Sequence, residues 1–337
     1  MKRVRLVVVA AVVACVAIAT GCGEKSERGH GDATPLTLAL DFYVNPDHAG
    51  IYTALDRGYF DDAGLEVKPV VPSDPSSPIR QVAAGRADLA ISYEPEVLLA
   101  QDQGLPVVAV AALVDRPLTS LISLPEAGIA DVRDLSGKTI ATAGIPYQAD
   151  YLDAILDRVG LGSDDVTQVD VGLNLLPALL SGRADAILGG FSNIEGVDLT
   201  ERGRNPRIVP VDQLGIPTYD ELVLVANRDD IDDDPEPARL FIAALERGTR
   251  EAIKRPDEAT KAILDAGDGL NPQLTRAEID ATLPLLVPAK GSDPFGHMDG
   301  AEWEKFAGFF ADDGLISTRP TADEMLTNDL LPGHIPD

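Results

Sequence analysis

Four short segments of this chain gather aromatic, amide and carboxylate side chains directly behind short apolar runs. They are Asp41-Phe42-Tyr43-Val44-Asn45-Pro46-Asp47-His48, Ser92-Tyr93-Glu94-Pro95-Glu96, Ala143-Gly144-Ile145-Pro146-Tyr147-Gln148 and Gly189-Gly190-Phe191-Ser192-Asn193-Ile194-Glu195-Gly196. The whole chain holds 7 Tyr, 8 Phe and 1 Trp, so finding Phe42, Tyr43, Tyr93, Tyr147 and Phe191 here points to faces for stacking a flat ring. Any one of these rings alone reads equally well as a plug for a sheet end; together they read as a site. Glu195 is the residue expected to matter most, because a carboxylate beside a ring can accept two hydrogen bonds from an amino-heterocycle or pair with a protonated ring nitrogen. Gly189-Gly190 would let backbone approach a ligand closely, and Gly144, just ahead of a helix from Tyr147, would expose N–H groups at a helix start.

Catalytic constellations are missing from the sequence. His30, His48, His297 and His334 are scattered, and no HExxH, GxSxG, P-loop or GxGxxG pattern occurs. The acidic run 229–236 lacks EF-hand spacing and reads as a solvated helix start. No metal site and no cofactor is expected. An excess of 55 acidic over 28 basic residues gives a formal charge of −27, which argues against a nucleic-acid partner.

At the N-terminus Lys2, Arg3 and Arg5 precede an unbroken apolar run over 6–19, the layout of an export signal and too short to span a bilayer comfortably. Ala19-Thr20-Gly21-Cys22 resembles a bacterial lipobox, so residues 1–21 read as a lipoprotein signal, Cys22 as the lipidated residue and 22–34 as a flexible tether. The plainer reading of Cys22 is an ordinary thiol beside a signal-peptide end. Cys15 lies inside the signal, so the mature chain would hold no disulfide and would sit outside the cytoplasm, anchored to the membrane by its lipid.

Short β-branched runs alternate with amphipathic stretches from about residue 35, the mark of an α/β fold with largely parallel sheets. Strands are expected at 36–40, 65–71, 88–91, 107–113, 139–142, 166–171, 186–188, 208–211 and 222–226, and one helix over 49–62. Gly85-Arg86-Ala87-Asp88 returns as Gly182-Arg183-Ala184-Asp185, each time just before a strand, which suggests two equivalent sheets. Two lobes follow, one from 35–121 with 222–337 and one from 122–221. The last helical stretch, with Trp303, Phe306, Phe309 and Phe310, is expected to pack on the first lobe.

Residues 40–49, Gly58-Tyr59-Phe60, 106–120, Gly189-Gly190-Phe191 with Asn193 and Glu195-Gly196, and Tyr219-Asp220-Glu221-Leu222-Val223 together resemble the bacterial thiamine-pyrimidine-precursor binding lipoproteins of ABC importers. That group has the type II periplasmic-binding-protein fold, two α/β lobes joined by a two-crossover hinge. It is related to eukaryotic thiamine-pyrimidine synthases and to binders of nitrate, sulfonates, taurine and riboflavin. The resemblance implies a monomer that binds a formyl-aminopyrimidine or hydroxymethylpyrimidine between its lobes and delivers it to the membrane subunits of a transporter. It places Glu195 on the amino edge of the ring with Asn45 or Asn193 assisting. Asp41, Phe42, Tyr43, His48, Ser92, Tyr93, Gly144, Pro146, Tyr147 and Phe191 complete the expected contact set, with Phe42 where the family often has Trp, and Phe191-Ser192 where it often has Tyr-Trp. The synthases carry a cofactor lysine and a histidine at positions that correspond to Ser92 and Glu96, so the resemblance implies a receptor and not an enzyme.

Overall fold

The computed structural model describes residues 33–288 and 293–333. The expected export signal, Cys22, most of the expected tether, His30 and His334 lie outside the described residues. Among the described residues the strands are β1 (Thr34–Ala39), β2 (Leu65–Val70), β3 (Leu89–Ser92), β4 (Val107–Val114), β5 (Thr119–Ser123), β6 (Thr139–Thr142), β7 (Thr167–Asp170), β8 (Ala186–Phe191), β9 (Arg207–Pro210) and β10 (Leu222–Asn227). The helices are α1 (Ala49–Asp56), α2 (Tyr59–Asp62), α3 (Pro78–Ala83), α4 (Glu94–Asp102), α5 (Pro146–Asp157), α6 (Leu175–Leu180), α7 (Glu195–Glu201), α8 (Arg228–Asp233), α9 (Glu236–Lys254), α10 (Pro256–Ala266), α11 (Pro272–Thr282), α12 (Gly300–Asp312) and α13 (Ala322–Met325).

The strands form two five-stranded sheets, ordered β2-β1-β3-β10-β4 and β7-β6-β8-β5-β9. The orders correspond position for position, and the repeated glycine-to-aspartate segment supplies the reason. Gly85 and Gly182 both turn with positive φ, 63° and 73°. Asp88 then accepts a hydrogen bond from the Thr37 N–H and returns its own N–H to the Thr37 carbonyl at 3.0 Å; Asp185 does the same with Thr139, at 2.8 Å in each direction. Asp88 therefore registers β3 against β1, and Asp185 registers β8 against β6. The sheets are mixed: β10 runs antiparallel to β3 and β4, and β5 runs antiparallel to β8 and β9. Strand β5 was not expected, because Thr119, Ser120 and Ser123 make it look like a loop. All three are buried; the Thr119 hydroxyl donates to Glu221 at 2.9 Å and the Ser120 hydroxyl to the Leu118 carbonyl at 3.0 Å.

The chain leaves the first sheet after β4 and returns to it at β10, so two crossovers join the halves. Glu221 holds them side by side: its Oε2 accepts the Leu118 and Thr119 N–H groups at 2.7 Å and the Tyr219 hydroxyl at 2.9 Å. Helix α12 covers this crossing instead of packing on the first lobe alone. Trp303 Nε1 donates to Asp220 at 2.7 Å, the Phe306 ring lies 5.1 Å from that of Tyr219, and Phe310 meets Tyr151 of α5 edge-on at 6.3 Å.

The expected helix over 49–62 is split into α1 and α2, because Gly58 takes a left-handed conformation with φ 67° between them. Helix α9 lies against α1 through Gly50 and Gly248, and a Cβ on Gly248 would stand 2.6 Å from the Ala54 Cβ and 2.9 Å from its backbone nitrogen. Neither neighbour can move without shifting a helix. Gly248→Ala is therefore expected to cost about 1–3 kcal/mol by overpacking. Chemical denaturation would show this as a lower midpoint with an unchanged slope, and an unaltered midpoint would contradict the close crossing.

Candidate functional site

The loops that follow β1, β3, β6 and β8 meet between the two sheets, at the carboxyl ends of strands where open α/β sheets bind ligands. They line a narrow cleft. Asp41, Phe42, Asn45 and Tyr93 line it from the first lobe, and Ala143, Ile145, Tyr147, Gln148, Leu175, Gly189, Phe191, Ile194 and Glu195 from the second. Tyr93 and Tyr147 are buried, their ring centroids 5.7 Å apart across the cleft, and Phe191 stands at 83° to Tyr93 at 6.5 Å. The facing aromatics thus come from both halves.

Asp41 is held from two sides. The Asn45 N–H points at His48 Nδ1 at 3.4 Å, which makes Nδ1 the acceptor and leaves Nε2–H to donate to Asp41 Oδ1 at 2.9 Å. The Tyr93 hydroxyl donates to Asp41 Oδ2, also at 2.9 Å. Asn45 caps the turn beginning at Pro46, its Oδ1 accepting the Asp47 N–H at 2.8 Å, while its Nδ2 donates to the Tyr43 carbonyl at 3.1 Å. Glu195 opens α7 and folds back, so that its Oε2 accepts the Phe191 N–H at 2.8 Å. Burial pushes its carboxyl up to about 7, against the downward pull of the Phe191 and Glu195 backbone N–H groups.

The structure brings Asp41, Phe42, Asn45, Tyr93, Tyr147, Phe191 and Glu195 together around the cleft and places the other expected residues behind it. Tyr43 lies against Phe42, centroids 4.5 Å apart, with its phenol raised by burial and by the carboxyls of Glu195, Glu278, Asp198 and Asp47. His48 supports Asp41, and the Ser92 hydroxyl donates to Glu96 at 2.7 Å. Gly144 turns with φ 75° beside Asp170, and Pro146 opens α5. Asn193 reaches from the second lobe to the first, where its Nδ2 donates to Asp47 Oδ1 at 2.7 Å and contacts the Thr282 hydroxyl oxygen at 2.8 Å. Sequence reasoning did not select Ala143, Ile145, Leu175 and Ile194, whose apolar side chains carry no chemical signal. Nor did it select Gln148, although that residue stands in one of the four segments.

The interface around Asn193 is acidic from both sides. Burial pushes Asp47 up to about 8, assisted by Asp41, Glu195 and Glu221 and opposed by the Asn193 hydrogen bond. Glu278 on α11 is likewise pushed up to about 8 by burial and by Asp198, Glu195 and Asp47. Carboxyls whose folded pKa is raised keep protons that the unfolded chain releases, so the stability they support is complete below the unfolded values and is lost as pH rises through about 7–8. The melting temperature should therefore fall between pH 5.5 and 8.5, and Asp47→Asn should fall less steeply. A flat wild-type profile in differential scanning fluorimetry would contradict this account.

A family profile described as "NMT1/THI5 like" matches residues 45–259. The chain is 35% identical over 271 residues to the "Formylaminopyrimidine-binding protein" of Halalkalibacterium halodurans, covering 80% of this chain and 82% of that one. It is 30% identical over 241 residues to the "4-amino-5-hydroxymethyl-2-methylpyrimidine phosphate synthase" of Aspergillus parasiticus, covering 68% and 70%. Among solved structures, the alkanesulfonate-binding protein SsuA of Xanthomonas axonopodis pv. citri, bound to MOPS, superimposes with a TM-score of 0.68 at 17% identity over 87% of this chain and 98% of that one. The two-lobed α/β architecture is thus the type II periplasmic-binding-protein fold, and the chain belongs to the NMT1/THI5-like family.

Proposed function

We propose that the protein is the solute-binding lipoprotein of an ABC importer, and that it binds a thiamine pyrimidine precursor of the formyl-aminopyrimidine or hydroxymethylpyrimidine type between its lobes. The observation that carries this reading is the composition of the cleft. Aromatic faces from both lobes stand beside the carboxyl groups of Asp41 and Glu195, and among the described residues no lysine or arginine lines the cleft. Such a lining favours a planar ring rich in hydrogen-bond donors and disfavours a sulfonate or nitrate, which would be desolvated beside like charge. The formylaminopyrimidine-binding relative supports the same ligand class.

In this reading the lobes comprise 35–121 with 222–337, and 122–221. Closure is favoured because only the closed state brings Asp41 and Tyr93 against the same ring as Tyr147, Phe191 and Glu195. A monomer tethered by acyl chains on Cys22 would present that closed state to the transporter's membrane subunits outside the cytoplasm. The synthase relatives suggest an enzyme as the second reading, but the hydroxyl of Ser92 is engaged with Glu96 where Schiff-base chemistry would require an amine.

In a thermal-shift panel of aminopyrimidines, flavins, sulfonates and nitrate, one aminopyrimidine should stabilise the protein by about 2.7 kcal/mol at a hundredfold excess over its Kd. Glu195→Gln should lose affinity for that compound. Equal stabilisation by sulfonates, or recovery of the pyrimidine in altered form, would overturn the reading.

A further inference from the structure

The polar side chains around the cleft differ in what they still have to offer. Asp41 accepts with both oxygens from within the protein, and the Tyr93 hydroxyl is spent on it. Asn45 uses its Oδ1 and its Nδ2 in its own turn. Glu195 can only accept when ionised. Gln148 is different. Its Oε1 accepts the Ala143 N–H at 2.8 Å, which fixes the orientation of the amide and commits its carbonyl end to the terminus of β6. The Nε2 end is thereby turned over Gly189, a residue that also lines the cleft. It carries two N–H groups, and an interaction with the Tyr147 hydroxyl can occupy one of them.

Gly189 has the backbone conformation and the missing side chain that this arrangement requires. Its φ is 108°, and a Cβ there would collide with the Gln148 amide, standing 2.8 Å from Cδ. The strand end and the amide therefore fit face to face, and any side chain at 189 would push the donor out of position. Gln148 is buried and lines the cleft, so an acceptor on a bound ring would meet the amide hydrogen that Tyr147 does not take.

We infer that Gln148 is a specificity-determining residue of the cleft, whose amide donates to an unprotonated ring nitrogen of the bound heterocycle while Glu195 accepts from its amino group. This rests on the pyrimidine reading and adds a requirement to it. The ligand must present an acceptor as well as donors, so an aminopyrimidine is distinguished from an aminobenzene of the same shape, whose stacking and amino contact would be the same.

The test uses isothermal titration of the mature protein with 4-amino-5-hydroxymethyl-2-methylpyrimidine and with its carbocyclic analogue, in which both ring nitrogens are replaced by C–H. Wild type should prefer the pyrimidine. Gln148→Met and Gln148→Glu, each checked for folding by circular dichroism, should weaken the pyrimidine by about tenfold or more, the worth of one buried hydrogen bond, and scarcely change the analogue. Gly189→Ala, which displaces the amide without removing it, should act in the same direction. Wild type binding the pyrimidine while all three variants retain that affinity, or lose both ligands equally, would overturn the role of Gln148. Wild type binding neither compound would overturn the pyrimidine reading itself, and the inference with it.

Discussion

Asp41, Asp47, Glu195 and Glu278 are carboxyl groups withdrawn from water where two lobes meet, and a carboxyl so placed must find donors, a proton or a cation. The protein answers differently at each. Asp41 receives two donors from His48 and Tyr93, Asp47 receives the amide of Asn193, and Glu195 receives backbone N–H groups. The raised values of Asp47, Glu195 and Glu278 show that these answers are incomplete. A ring bearing amino hydrogens would supply the missing donors at the cleft, which would make the electrostatic cost of burying these carboxyls part of the selectivity.

In the proposed reading, ligand contact and lobe contact share one turn of chain. Phe191 and Glu195 line the cleft, and Asn193 between them crosses to Asp47 and Thr282. The fold around the turn is tight: a Cβ on Gly190 would stand 2.8 Å from the Ile187 side chain and one on Gly196 would stand 2.7 Å from that of Ile208. A displacement of the ring face is thus hard to separate from a displacement of the interlobe bond. In that reading closure would have a physical link to occupancy without a long pathway between them.

Much of this was legible in the residues. The four loops were recognisable because rare aromatics fell behind strand-like runs, and the paired glycine-to-aspartate segments announced matching halves, later explained by the bonds of Asp88 and Asp185 to Thr37 and Thr139. Strand β5 was hidden, since the buried hydroxyls of Thr119 and Ser120 imitate a loop until their partners are seen. Side-chain direction was hidden too. His48 and Asn193 stand beside cleft residues in the chain, yet one turns back to hold Asp41 and the other crosses to the opposite lobe, because their partners lie at positions no spacing rule connects. The apolar lining was equally silent, as Leu175 and Ile194 differ from core residues only in what faces them.

The placement of β10 has a consequence for biogenesis. It lies between β3 and β4, yet it follows every strand of the second sheet in the chain. A growing or translocating polypeptide can therefore assemble its second half first, while the first waits with two unpaired strand margins. Those margins are available for wrong pairing until residue 222 and beyond arrive. Two similar halves in one molecule thus acquire unequal histories, and the interval before the late strand inserts is when a holding chaperone would be most valuable.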